Sequence, residues 1–138
     1  MKPVLLDTGV VVALLDRSGR YHARCADAVE KLERPLITCE AVIAESCYLL
    51  RRLPGAAETI LENVARGIFH IPFQLSQSAV AVGTILRKYR DQPADFADAC
   101  LIHLADELNT GEILTLDRDF MQYRWRKVRR FDLLIDLK

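Results

Sequence analysis

The sequence predicts an α/β fold in which helices cover both faces of a central parallel sheet of about five strands. Three observations lead to this prediction. Short apolar segments alternate with longer segments of helical periodicity along the 138-residue chain. The apolar segments hold few polar positions, as strands buried on both faces require. No internal repeat or interdomain linker interrupts the alternation, so we expect a single domain over residues 1–138.

Five segments are predicted strands, because each is short and apolar and ends near a turn residue or a helix start. They cover residues 3–6, 35–37, 68–72, 113–116 and 128–131. The first strand stops at Asp7 and the fourth at Asp117. Parallel strands share one direction, so both aspartates fall at the carboxyl edge of the sheet, where α/β proteins bind their ligands. Asp7 has a second interpretation, as an ordinary cap of the following helix.

Helical periodicity predicts six longer helices between these strands and a short one at residues 119–120. The first begins at Val10, and the others cover residues 21–33, 39–52, 56–66, 77–90 and 94–109. Thr38 and Ser76 are the predicted caps of the third and fifth helices. Gly67 and Gly111 are predicted to end the fourth and sixth.

The composition is that of an ordinary globular protein, with 51% apolar residues, 28% charged residues and a formal net charge of zero. Any affinity for nucleic acid must therefore come from a local patch. No apolar run approaches the roughly 20 residues that span a bilayer, so we expect no membrane contact. The four cysteines lack metal-ligand spacing and favour a reducing compartment, and we expect a cytoplasmic protein.

Two further acidic positions lie within predicted helices. Glu45 shares a largely apolar helical stripe, where a carboxylate is unusual, with Ala41, Val42, Tyr48 and Leu49. It either leans into water at the edge of the stripe or points into a polar site. Asp95 and Asp98 stand in the first turn of the last long helix. The helix macrodipole alone favours acidic residues there, so a structural role explains either one of them or both.

If Asp7, Glu45, Asp98 and Asp117 converge, their charges require a cation, because each ionised carboxylate raises the pKa of the others. Mg²⁺ or Mn²⁺ is the natural partner, since both prefer oxygen ligands. Such ions activate water and stabilise the leaving oxygen of a phosphodiester. The sequence contains no G-x-S-x-G motif, P-loop or G-x-G-x-x-G motif that would indicate another chemistry.

A basic cluster follows the fourth strand. It is interleaved with the aromatic residues Phe120, Tyr123 and Trp125. Its members are Arg118, Arg124, Arg126, Lys127, Arg129 and Arg130. Arginine and aromatic side chains together suit single-stranded RNA. A solvated surface with Trp125 in the core, or a protein interface, explains the same pattern.

Four motifs together resemble those of a PIN domain, and more narrowly those of the toxin ribonucleases of VapBC-type toxin–antitoxin pairs. The motifs are Val4–Thr8, Ala44–Glu45, Asp95–Ala99 and Leu114–Phe120. They occur in the order and at the spacing of a small PIN domain, and the resemblance covers nearly the whole chain. It implies a three-layer α/β/α PIN-like fold, with residues 1–138 as one PIN domain.

The resemblance also implies roles for particular residues. The catalytic acids would be Asp7, Glu45, Asp98 and Asp117, of which Asp7, Asp98 and Asp117 would ligate Mg²⁺ or Mn²⁺. Supporting residues would be Thr8 and Thr115, with Asp95 and Asp119 as further acids near the site. The implied partners are an RNA substrate, a second copy of the chain in a homodimer, and a cognate antitoxin whose C-terminal segment blocks the site.

Three functions follow from these patterns. The first is a metal-dependent endoribonuclease that acts as the toxin of a toxin–antitoxin pair. The second is a PIN-type RNA-processing nuclease without an antitoxin. The third is a non-catalytic module that binds RNA or protein through the basic cluster, and which would show no stabilisation by divalent ions.

Overall fold

The computed structural model describes residues 1–137 and confirms the α/β architecture. Seven strands are present in this part of the chain. They are β1 (Val4–Leu6), β2 (Leu36–Ile37), β3 (Phe69–His70), β4 (Glu112–Leu114), β5 (Arg124–Trp125), β6 (Arg129–Arg130) and β7 (Asp132–Leu133). Five of them form a parallel sheet in the order β3-β2-β1-β4-β7, while β5 and β6 form a separate antiparallel hairpin.

Six α-helices connect and cover the parallel strands within the described residues. They are α1 (Thr8–Leu15), α2 (His22–Lys31), α3 (Glu40–Leu49), α4 (Ala56–Ala65), α5 (Leu75–Lys88) and α6 (Phe96–Leu108). A 3₁₀ helix covers Arg118–Met121. The longest helix has 14 residues, and none in residues 1–137 combines the length and apolarity needed to cross a membrane.

Strand β1 occupies the centre of the sheet. It pairs with β2 through Val4 and Leu36, and with β4 through Leu6 and Leu114. All three residues of β1 are fully buried, which explains why the strand contains only apolar side chains. From β1 the chain adds β2 and then β3 on one side, and it returns to the other side of β1 as β4. The order of the strands therefore reverses between β1 and β4. Sheets of this type bind ligands at such a switch point, outside the carboxyl ends of the strands.

Helix α6 is buried more completely than its predicted stripe suggests. Every residue from 97 to 105 is buried, because α6 contacts α3, α5, β1 and β5. A helix enclosed in this way has to be apolar around most of its circumference. The last helical residue is Leu108, and the cap that follows it, Asn109, takes the left-handed conformation with φ 53°. The prediction that Gly111 closes this helix was therefore wrong.

The predicted fifth strand at residues 128–131 was also wrong. Its middle belongs to the β5–β6 hairpin, whose tip contains Arg126 and Lys127 at φ 44° and 71°. Val128, an apolar residue that favoured the strand, is 78% exposed at this tip. The strand that completes the parallel sheet is β7, which pairs with β4 through Leu133 and Ile113.

Two predicted helix caps were wrong as well. Helix α3 is capped by Cys39 and α5 by Gln74, neither through its side chain. The Thr38 hydroxyl instead donates to the carbonyl oxygen of Leu6 at 2.8 Å. Thr38 is fully buried, so its polar group is satisfied by linking β1 to the end of β2.

Candidate active site

The four predicted acidic residues line one cavity at the carboxyl edge of the sheet. The cavity has a volume of about 390 Å³, and its walls include Asp7, Glu45, Asp98, Asp117 and also Asp95. Thr8, Gly9, Leu49 and Leu116 complete the lining. The cavity lies beyond β1 and β4, which is the position that the parallel topology predicts for a ligand.

Asp7 is held by two hydrogen bonds that use both of its carboxylate oxygens. Oδ1 accepts from the backbone N–H of Thr8 at 2.8 Å, which caps α1. Oδ2 accepts from the Thr115 hydroxyl at 2.6 Å. The same hydroxyl oxygen accepts from the backbone N–H of Asp117 at 3.0 Å. Thr115 therefore joins the first and last acidic positions, and Asp7 is more than an ordinary helix cap.

The electrostatic environment of Asp7 opposes its ionisation. Burial, with smaller contributions from the charges of Asp117 and Glu45, raises the pKa of Asp7 to about 6. The hydrogen bonds from Thr115 and Thr8 act in the opposite direction and are outweighed. A carboxylate in this state gains from any positive charge that enters the cavity.

Asp98 and Asp95 form a capping box at the start of α6. The N–H of Asp98 donates to Asp95 Oδ1 at 2.9 Å, and the N–H of Asp95 donates to Asp98 Oδ2 at 3.4 Å. Asp98 is only 7% exposed and also accepts from the hydroxyl of Tyr123 at 3.1 Å. Burial, followed by the charges of Asp95 and Asp7, raises the pKa of Asp98 to about 7. Both acids serve as caps, but this strong rise in the pKa of Asp98 goes beyond a capping role.

Glu45 stands at the exposed rim of the cavity. It lines both the acidic cavity and an adjoining groove that includes Asp95 and Phe96. Both interpretations of Glu45 from the sequence hold in part, because the residue is exposed to solvent and also lines the acidic cavity. The predicted stripe around it is buried only in part, because Val42 lies in the core whereas Tyr48 and Leu49 are 62% and 55% exposed. The buried residues of α3 are Val42, Ile43 and Ser46.

The last acidic segment is organised around Asp117, which caps the 3₁₀ helix. Its Oδ1 accepts from the backbone N–H of Asp119 at 2.9 Å. Asp119 is half-buried and is not part of the cavity wall described above. Burial and the neighbouring charge of Asp117 raise the pKa of Asp119. Asp119 is therefore a further acidic group next to Asp117, outside the cavity wall.

The residues of the cavity fit a hydrated divalent cation. Within residues 1–137, no three acidic, histidine or cysteine side chains are arranged so that they could ligate one ion directly. Mg²⁺ rarely needs such a cage, because it keeps several waters and takes one or two carboxylates. The Thr8 hydroxyl is buried without a hydrogen-bond partner in the described chain. A buried hydroxyl with this bonding capacity, beside carboxylates of raised pKa, suits a positive ion with its water shell.

Of the interpretations of the basic cluster, the structure supports the one in which Trp125 belongs to the core. Phe120, Tyr123 and Trp125 are only 0%, 1% and 6% exposed, so they are core residues and cannot stack on RNA bases. The backbone N–H of Arg126 donates to Asp106 in the second half of α6. Asp106 lies eight residues beyond Asp98, about 12 Å along the helix. The hairpin tip is therefore well removed from the acidic cavity.

Sequence reasoning missed the contact between Tyr123 and Asp98. The pattern of basic and aromatic residues suggested a stacking surface, whereas the phenol is buried and hydrogen-bonded. A buried tyrosine usually has a polar partner, which was the available signal. The partner itself is 25 residues away in sequence, and no local pattern identifies it.

In the absence of divalent ions, we expect the protein to lose stability as the pH rises from about 4 to about 7. Asp7 and Asp98 have folded pKa values of about 6 and about 7, above the ordinary value of 3.8. Between these limits the folded state binds more protons than the unfolded state, so the free energy of unfolding falls with rising pH. The loss is on the order of 3 kcal/mol from Asp7 alone. Thermal melting in EDTA across this range measures it, and a melting temperature that climbs towards neutral pH would contradict it.

The chain is similar to characterised members of one family. Residues 4–126 match the family model described as the PIN domain. The chain is 30% identical over 117 residues to Ribonuclease VapC26 of Mycobacterium tuberculosis, a match that covers 83% of this chain and 87% of that protein. Its fold is similar to the crystal structure of Mycobacterium tuberculosis VapC20, which is described as a Sarcin-Ricin loop cleaving toxin. The two structures align with a TM-score of 0.79 and 17% sequence identity, over 91% of this chain and 98% of that one. The resemblance stated from the motifs is thus confirmed, and the chain belongs to the PIN domain family, with VapC ribonucleases among its relatives.

Proposed function

We propose that this protein is a metal-dependent endoribonuclease that acts as the toxin of a toxin–antitoxin pair. The observation that carries the proposal is the cavity at the switch point of the sheet, which five carboxylates line. Similarity to a protein named as a VapC ribonuclease supports RNA as the substrate class. Hydrolysis of RNA phosphodiesters is the reaction that this acidic site suits best.

Asp7, Asp98 and Asp117 are the proposed ligands of Mg²⁺ or Mn²⁺, with Asp7 bound directly and at least one of the other two bound through a water that the ion keeps. When bound, the metal would supply an activated water and would stabilise charge on the phosphate. Asp7 is oriented for ligation by Thr115 and Thr8, which hold both of its oxygens. The unpartnered hydroxyl of Thr8 suits a hydrogen bond to the water shell of the ion.

Glu45 is the proposed acceptor of a proton from the attacking water. It is exposed at the rim of the cavity. Asp7 and Asp98, by contrast, are only 7% exposed and are tied to donors of the protein. Because Asp7 and Asp98 are committed to these donors and to the proposed metal, Glu45 is the carboxylate of the three that remains open to an attacking water.

RNA cleavage by the purified chain tests this proposal. We expect cleavage in Mn²⁺ or Mg²⁺, loss of cleavage in excess EDTA and recovery when the metal is restored. The melting temperature should rise with Mn²⁺ concentration, because an ion that binds only the folded state stabilises it by mass action. A chain that neither cleaves RNA nor responds to Mn²⁺ would instead be the non-catalytic binding module.

A cognate antitoxin is the proposed protein partner. Exposed apolar side chains stand beside the acidic cavity, among them Tyr48, Leu49 and Phe96 at 62%, 55% and 43% exposure. Such a patch next to an active site favours a partner segment that covers both. A short neighbouring gene whose product co-purifies with this chain would distinguish the toxin from an RNA-processing nuclease. Size-exclusion chromatography with light scattering tests the homodimer.

The basic residues of the hairpin and the neighbouring Arg118 are proposed contacts for the backbone of RNA outside the cleavage position. These residues are Arg118, Arg124, Arg126, Lys127 and Arg129. Lys127 is exposed at the hairpin tip, so charge reversal there perturbs little of the fold. We expect Lys127→Glu to weaken RNA binding and to reduce its salt dependence, with unchanged cleavage at saturating RNA. RNA affinity equal to that of the unaltered protein would contradict the contact.

A further inference from the structure

Tyr123 is a buried tyrosine whose hydroxyl contacts one of the five acids of the cavity. Its side chain is 1% exposed, and its hydroxyl donates to Asp98 Oδ2 at 3.1 Å. An ionised carboxylate can only accept, so the phenol is the donor in this hydrogen bond.

The hydrogen bonds of Asp98 leave one of its oxygens for a ligand. The Tyr123 hydroxyl and the backbone N–H of Asp95 both donate to Oδ2. Oδ1 is then the oxygen with which this carboxylate can meet an ion in the cavity. Without the phenol, only the longer bond from Asp95, at 3.4 Å, would restrain the rotation of the carboxylate.

Tyr123 itself is held rigidly between the two acidic segments. Its ring packs against Phe120 at 5.0 Å and against Tyr89 at 5.1 Å between centroids. Its backbone N–H donates to the carbonyl oxygen of Asp119 at 3.3 Å. The side chain thus connects the segment that follows Asp117 to the start of α6. This connection helps to fix the position of Asp98 relative to Asp117.

We infer that Tyr123 is a positioning residue that holds the Asp98 carboxylate in the orientation in which it binds the divalent cation. The inference rests on the proposed metal-dependent function. Tyr123 is buried behind Asp98 and is not part of the cavity wall, so it acts through Asp98 alone. Hydrogen-bond partners behind metal ligands commonly change metal affinity or activity by about 10–100-fold when they are removed.

The test compares Tyr123→Phe with the matched variant Tyr89→Phe. Each substitution removes one hydroxyl from a buried ring of the same cluster. The Tyr89 hydroxyl accepts from the backbone N–H of Arg124 at 2.9 Å, so its loss leaves the hydrogen bond between Tyr123 and Asp98 intact. Mn²⁺ affinity is measured by calorimetry on the full chain, with far-UV circular dichroism and melting in EDTA as measures of folding. RNA cleavage is then followed as a function of Mn²⁺ concentration.

We expect Tyr123→Phe to weaken Mn²⁺ binding by about tenfold or more, and Tyr89→Phe to change it by less than about twofold. Excess Mn²⁺ should restore much of the cleavage rate of Tyr123→Phe, which damage to the fold alone would not allow. Equal Mn²⁺ affinity in Tyr123→Phe and the unaltered protein would overturn the positioning role, as would equal losses in both variants. If the unaltered protein binds no Mn²⁺, the proposed function fails and the inference fails with it.

Discussion

Asp7→Asn is expected to abolish RNA cleavage while the protein stays folded. Asparagine keeps an oxygen that can accept from Thr115 or Thr8, but it lacks the negative charge that ligates a hard cation. Removal of a proposed direct ligand should cost more than the roughly 100-fold upper range typical of residues behind the ligands. The variant also loses the buried carboxylate whose raised pKa opposes folding at neutral pH. Its melting temperature in EDTA should therefore equal or exceed that of the unaltered protein near pH 7.

Asp27→Asn is the matched control for this experiment. Asp27 lies on α2 in an exposed ion pair with Lys31, with 61% of its side chain accessible. Exposed pairs of this kind contribute about 0–1 kcal/mol, so both stability and cleavage should be nearly unchanged. Full activity in Asp7→Asn, measured with synthetic RNA in Mn²⁺, would remove the metal site from the mechanism. Loss of activity in both variants would show that the assay responds to something other than the cavity.

Gly111→Ala is expected to destabilise the fold by about 3 kcal/mol or more. A Cβ atom at this position would lie 2.0 Å from Nε1 and 2.6 Å from Cε2 of Trp125. The indole is buried and donates to the carbonyl oxygen of Arg130 at 3.1 Å, so it has little room to move. A lowering of the melting temperature by roughly 10 °C is expected for a chain of this size. The fluorescence of the single tryptophan reports the unfolding directly.

Two further variants show whether the clash is the cause. An added Cβ at Gly83 in α5 meets only the end of the Arg87 side chain at 3.8 Å. Gly83→Ala should therefore stabilise the protein by up to about 1 kcal/mol, as alanine does inside a helix. In a Trp125→Phe background the cost of Gly111→Ala should shrink, because the indole nitrogen is gone. An equal cost in both backgrounds would show that the indole is not the obstacle.

The central part of the fold and the acidic site followed from patterns that are local in sequence. The apolar segment Val4–Leu6 could be predicted as a strand from its own residues, because a strand buried on both faces admits no polar residue. Asp7 and Asp117 could be assigned to one edge because parallel strands share a direction. The place of Asp98 in the site could not be predicted in this way, because an acidic residue in the first turn of a helix is commonplace. The burial and contacts that set it apart depend on Asp7 and Tyr123, which are distant in sequence.

The C-terminal part of the fold was mispredicted where tertiary contacts outweigh local preference. Val128 suggested a buried strand, yet the hairpin turn places it in solvent. The turn contains Arg126 and Lys127 at positive φ, where glycine or asparagine is the usual signal. Gly111 was interpreted as a helix end, although its small size is needed for the approach of Trp125. Neither the turn nor the close approach has a local sequence signal.

The hydrogen bond between Asp7 and Thr115 joins residues 108 positions apart, and this separation has a consequence for biosynthesis. The central strand lacks its neighbour β4 until most of the chain has been translated, so the acidic centre is assembled among the last long-range contacts. A growing polypeptide that carries Asp7 but not yet Thr115 and Asp117 has no complete centre. A nuclease built this way would not cleave RNA until its synthesis is nearly finished.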